Sequence, residues 1–91
     1  MNSDDTAEPD GAAPPQADRM VDARRLLCPM PILKAEAAMR ELQVGQLLEV
    51  RATDPGLRND LPAWCRSQGH RFLKILQQGR ELTGWVVKGE G

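Results

Sequence analysis

The sequence is short of the side chains that crowded functional sites use most. It has one Phe, two Trp, no Tyr, one His and two Cys among 91 residues. One His and two scattered Cys with no Cys-x-x-Cys pair fall short of the four ligands of a typical zinc site. A protease-like pair would need His70 to approach Cys28, whereas a lone His directly after Gly69 at a strand start reads as an edge or surface residue. No Gly-x-Gly-x-x-Gly or Walker A pattern is present, so nucleotide binding has no motif behind it. Two cysteines cannot build a multi-bridge secreted framework, and the N-terminus lacks a basic segment followed by an apolar run and a cleavage site, so a cytoplasmic location is expected. No apolar run approaches the ~20 residues that span a bilayer, so no membrane role is expected.

Charge of one sign is also scarce. Twelve Lys and Arg face thirteen Asp and Glu, a formal net charge of −1. The balance is uneven along the chain: residues 1–19 hold five acids and one base, and the remainder eleven bases and eight acids. A surplus of three is too small for an electrostatic nucleic-acid binder, which clusters bases into a stripe interleaved with aromatics. Direct nucleic-acid contact is therefore not the expectation.

Ninety-one residues allow one small domain, which buries only about 60% of its unfolded surface and leaves little room for a deep pocket. Residues 1–19, with Pro9, Pro14 and Pro15 among Ala, Gly and acids, offer no large apolar side chain after Met1. They cannot offset the entropy of ordering, and a disordered acidic tail is expected there, with the domain over residues 20–91.

From Met20 to Arg25 the alternation of Val21 and Ala23 with Asp22 and Arg24 predicts a half-buried strand. Apolar residues at Ile32, Ala35, Met39 and Leu42 form a helical stripe, with Gly45 as its stop. Gln46–Thr53 alternates as a strand with Leu48, Val50 and Ala52 inward, and Asp54-Pro55-Gly56 breaks it. Asp60 reads as the cap of a second helix, with Pro62 in its first turn, Leu61, Trp64 and Cys65 inward, and Gly69 closing it. Arg71–Gln77 and Glu81–Lys88, joined at Gln78-Gly79, read as a hairpin. The order βαβαββ buries best as an α+β fold, a two-layer sandwich of a four-stranded mixed sheet with two helices on one face.

The chemistry concentrates at Cys28-Pro29-Met30-Pro31. With Pro29 at the first helical position, Cys28 becomes the capping residue and its sulfur lies beside unpaired N–H groups. Such a site favours the thiolate and lowers the thiol pKa from its usual ~8.5. Pro29 and Pro31 fix the loop that presents the sulfur, and Arg24, Arg25 and Lys34 are candidates to add positive potential. Spacing alone leaves a second reading open, in which Pro-x-Pro starts a helix and Cys28 is a small buried residue. Cys65 fits a packed core thiol. Its functional alternative, a disulfide with Cys28 acting as a redox switch, requires Cα atoms within about 7 Å. Asp54 most economically forms a turn. The two Trp and the Met residues read as core filling.

Val21-Asp22, Leu26-x-Cys28-Pro29-Met30-Pro31, Asp54-Pro55, Asp60-Leu61-Pro62-Ala63-Trp64-Cys65 and Gly69-His70 together resemble the TusA/SirA-like family of small sulfur carriers, over about residues 20–89. The resemblance implies the two-layer sandwich and no bound cofactor. It further implies that Cys28 takes sulfane sulfur as a persulfide from a cysteine desulfurase or rhodanese and hands it to an acceptor protein, as in tRNA thiolation, molybdenum cofactor synthesis or sulfur oxidation. Many members have Gly where Arg25 stands, and other members place an acid at Met30. A monomer serving alternating partners is expected, with Arg25 and Lys34 assisting anion stabilisation or docking. The competing function is a regulatory protein-interaction or nucleic-acid-binding module in which Cys28 is structural.

Overall fold

A computed structural model describes residues 16–90. The expected tail lies outside the described residues over positions 1–15, and Arg19, its last residue, already opens the first strand. The elements are β1 (Arg19–Ala23), α1 (Met30–Met39), β2 (Leu47–Ala52), α2 (Leu57–Gln68), β3 (Arg71–Gln78) and β4 (Glu81–Val87). The sheet order is β1-β2-β4-β3. β1 runs parallel to β2, as a strand–helix–strand crossover requires, and the other two pairings are antiparallel. This is the α+β sandwich that the pattern of elements predicts.

Register decides which side chains meet the helices. Val21 pairs with Val50, Ala23 with Ala52, Leu48 with Val86 and Ala52 with Leu82, all on one face. These residues form a single buried cluster with Ala35, Ala38 and Met39 of α1 and Leu57, Leu61, Trp64 and Cys65 of α2. Trp85 is buried, as core filling requires, but on the face of the sheet away from the helices. Alternation puts it on the opposite face beside Glu49 and Lys74, where its indole N–H donates to Glu49 Oε1 at 3.3 Å and the Lys74 ammonium lies 5.6 Å from its ring centroid. Glu49 is 8% exposed and also accepts from Arg51 Nε at 2.7 Å, so the buried carboxylate is paired on both sides.

Two helix boundaries differ from those read in the sequence. α1 ends at Met39, because the Glu41 and Leu42 N–H groups tighten onto Ala38 and Met39 carbonyls. Gly45, with φ 94°, instead turns the chain into β2 and donates to Lys88 O. α2 begins at Leu57, so Asp60 lies within its first turn and Pro62 inside the helix. The first turn can start early because Leu57, 2% exposed, extends the buried stripe one turn back from Leu61. Gly69 closes α2 in the left-handed conformation, as expected.

Candidate functional site

Cys28 is exposed on the loop between β1 and α1. That loop turns sharply. Leu26 N–H donates to Ala23 O, and Arg25 holds φ 72°, a left-handed conformation that glycine adopts without strain. Arg25 thus takes the backbone course a glycine would, and its N–H is pinned to Thr53 Oγ1 at 2.9 Å.

The expected amide cradle for the sulfur does not form. Pro29, not Cys28, is the residue preceding the first helical position, and Pro31 stands second in the helix and is buried. Met30 N–H is spent on Leu27 O, Pro31 has no N–H, and the Ile32 and Leu33 N–H groups both go to Pro29 O. The donors at this helix end are satisfied locally, which removes the partial positive charge that would favour a thiolate.

The sulfur meets acids instead. Cys28 Sγ donates to Asp60 Oδ2 at 3.0 Å, and Cys28 N–H donates to Asp54 Oδ2 at 2.8 Å. The other oxygen of Asp54 accepts Gly56 N–H at 3.0 Å, the turn role foreseen for it. An Asp60 cap is not what the structure shows, since the N–H groups of residues 57–60 are taken by the Asp54, Pro55 and Gly56 carbonyls and the carboxylate turns to the thiol. The Cys28 pKa is accordingly pushed up, first by the hydrogen bond to Asp60 and then by burial and the negative charge of both acids. This reverses the direction expected from the sequence. A proton shared with a carboxylate is harder to remove than one facing amides.

The basic residues lie elsewhere. Arg25 lines an open polar cleft of about 480 Å³ with Asp22, Arg24, Thr53 and Glu81. Arg24 is engaged by Asp22, at 2.8 and 2.9 Å, and by Glu81 at 3.1 Å, which holds the Asp22 carboxyl well below the usual carboxylate range. Lys34 lines a second groove with Arg19, Met20 and Glu41, and its charge is felt at Asp22. Apolar side chains surround the thiol loop: Leu27 is 74% exposed, with Met30 and Leu33 about half exposed.

Cys65 is 1% exposed in the core, its thiol pushed up to about 11 by burial, and both cysteines are free. His70 stands away from this chemistry: its Nδ1 accepts Gly89 N–H at 3.0 Å and its ring packs on Trp64. No helix among the described residues is long and apolar enough to cross a membrane.

The sequence profile of the family described as Sulfurtransferase TusA matches residues 19–88, which contain every element and the whole thiol loop. The chain belongs to the TusA family. It is 49% identical over 74 residues to YrkI of Bacillus subtilis (strain 168), a candidate sulfur carrier protein, across 81% of this chain and 99% of that one. It is 37% identical over 71 residues to the sulfur carrier protein TusA of Pseudomonas putida (strain W619), across 78% and 89% of the two chains. A crystal structure of a SirA-like protein from Desulfitobacterium hafniense shares the fold, with a TM-score of 0.69 and 24% identity over 79% of this chain and 99% of that one. Sequence reasoning had singled out Asp54 and Asp60 only as turn former and cap. Their place inside the stretches that carry the TusA resemblance was the available signal that they serve the thiol.

Proposed function

We propose that this TusA-family chain carries sulfane sulfur as a persulfide on Cys28, accepting it from a donor protein such as a cysteine desulfurase or rhodanese and delivering it to an acceptor protein. The observation that supports this most is the placement of the thiol. It is exposed on a short loop anchored at both ends, with its amide fixed by Asp54 and its sulfur by Asp60, so that a partner's sulfur can reach it without a pocket opening. Pro29 and Pro31 shape the loop, each with its φ fixed by the ring and Pro31 buried in the first turn of α1. The apolar rim of Leu27, Met30 and Leu33 suits a partner surface, and Arg25 and Lys34, both exposed and turned to neighbouring clefts, act in docking rather than on the sulfur. The carrier works in the cytoplasm, where Cys28 and Cys65 remain free thiols.

Incubation with a cysteine desulfurase and free cysteine, followed by intact mass measurement, is expected to add one sulfur to the native chain and none to Cys28→Ser. An equal gain in that variant would remove Cys28 from the role.

A further inference from the structure

The resting thiol presents a difficulty for the persulfide reading, on which this inference rests. A nucleophilic sulfur must lose its proton, yet the Cys28 proton is held between sulfur and a carboxylate, while the Met30, Ile32 and Leu33 N–H groups of the helix start are taken by the Leu27 and Pro29 carbonyls. The geometry points to Asp60 as the group that receives the Cys28 proton during sulfur uptake. It is within hydrogen-bond reach of Sγ at 3.0 Å, and that thiol contact is the one its side chain makes among the described residues. Its carboxylate is carried on the first turn of α2, a rigid element seated on the core through Leu57 and Leu61, and it is not the cap of that helix. Asp54 is occupied differently, with one oxygen on the Cys28 amide and the other on Gly56 N–H. The two acids therefore divide the work: Asp54 places the backbone and Asp60 handles the proton. The charged groups facing the thiol are these two, and the guanidinium of Arg58, on the same turn of α2, is turned to Gln77.

The step balances without an added oxidant or reductant. Cys28 Sγ attacks the outer sulfur of the donor's cysteine persulfide. A new S–S bond forms to Cys28 while the donor's S–S bond breaks, and its electron pair leaves on the donor cysteine sulfur. The proton on Sγ passes to Asp60 Oδ2 and then to the departing donor thiolate. The products are the Cys28 persulfide and the donor thiol. At rest the proton belongs on sulfur, the weaker acid. It becomes acidic only as sulfur commits its lone pair, so the carboxylate favours the transition state more than the ground state.

Removing the carboxylate should therefore move two rates in opposite directions. In Asp60→Asn the pH midpoint of Cys28 alkylation by iodoacetamide falls, and alkylation at pH 7 accelerates, because the thiol loses the anion that holds its proton. Single-turnover sulfur transfer from a persulfide-loaded cysteine desulfurase slows by at least about tenfold. A second readout needs no variant: in the native chain between pH 6 and 8, alkylation follows the thiolate fraction while transfer rises much less steeply. Transfer as fast as native or faster in Asp60→Asn, or native transfer rising in parallel with alkylation, would overturn the role. A native chain that takes no sulfur from the loaded donor would sink the persulfide reading itself and this inference with it.

Discussion

Arg25 is the residue where local strain and the site meet. A side chain at φ 72° costs about 1–2 kcal/mol, and glycine there would relieve it while losing about 0.5–1 kcal/mol to chain entropy. Arg25→Gly is therefore expected to leave stability unchanged or raise it by up to about 1.5 kcal/mol, read as a shift in the urea midpoint at constant slope. A clear loss of stability would show that the guanidinium contributes to the fold and is not free for a partner. At this scale the burial of Cys65 was readable from its spacing to Leu61. The sign of the Cys28 pKa shift was not, because two prolines and a Leu27–Met30 turn consume the helix-end donors, a local detail that spacing does not encode.

The elements fit by close approach between α2 and the hairpin. Gly84 of β4 lies beneath Leu61 of α2 and beside Ile75 of β3: a methyl at Gly84 would stand 2.4 Å from Leu61 Cδ2 and 3.2 Å from Ile75 Cγ1. Gly84→Ala should cost about 1–3 kcal/mol through overpacking, and Leu61→Ala about 2–5 kcal/mol through the cavity it leaves. The double variant is expected to lose less than the sum, since the added methyl occupies part of the vacated space. Urea unfolding of the four chains measures the coupling, and strict additivity would show that the helix stands off the strand. The inward faces of β1, β2 and α2 were readable from their periodicity. The start of α2 was not: Pro62 suggested a first turn, but burial of Leu57 carries the helix a turn further back and leaves Pro62 in its interior.

At the scale of the molecule, the end of the chain is tied to the end of α2 through His70, whose Nδ1 accepts Gly89 N–H and must be unprotonated to do so. Partial burial and the charge of Lys88 lower its pKa below the ordinary 6.5. The unfolded chain therefore takes up the proton first as pH falls, so the stability this contact contributes is complete above about 6.5 and is lost as pH drops through the folded value. The stability difference between the native chain and His70→Ala should be constant above pH 7 and shrink below about 6.5. A difference that stays flat down to pH 4.5 would exclude the contact as the cause. Asp22, held by the hydrogen bonds of Arg24 well below the usual carboxylate range, stays ionised in the folded chain across this window and does not confuse the measurement. The sequence by itself determined the order of elements and which face of each strand and helix is apolar, since these follow from residues a few positions apart. Only the tertiary structure decided what surrounds the sulfur. Asp54 and Asp60 lie 26 and 32 residues beyond Cys28, and the sheet brings their turn and helix end against the thiol loop, where charge at contact distance outweighs the local backbone pattern.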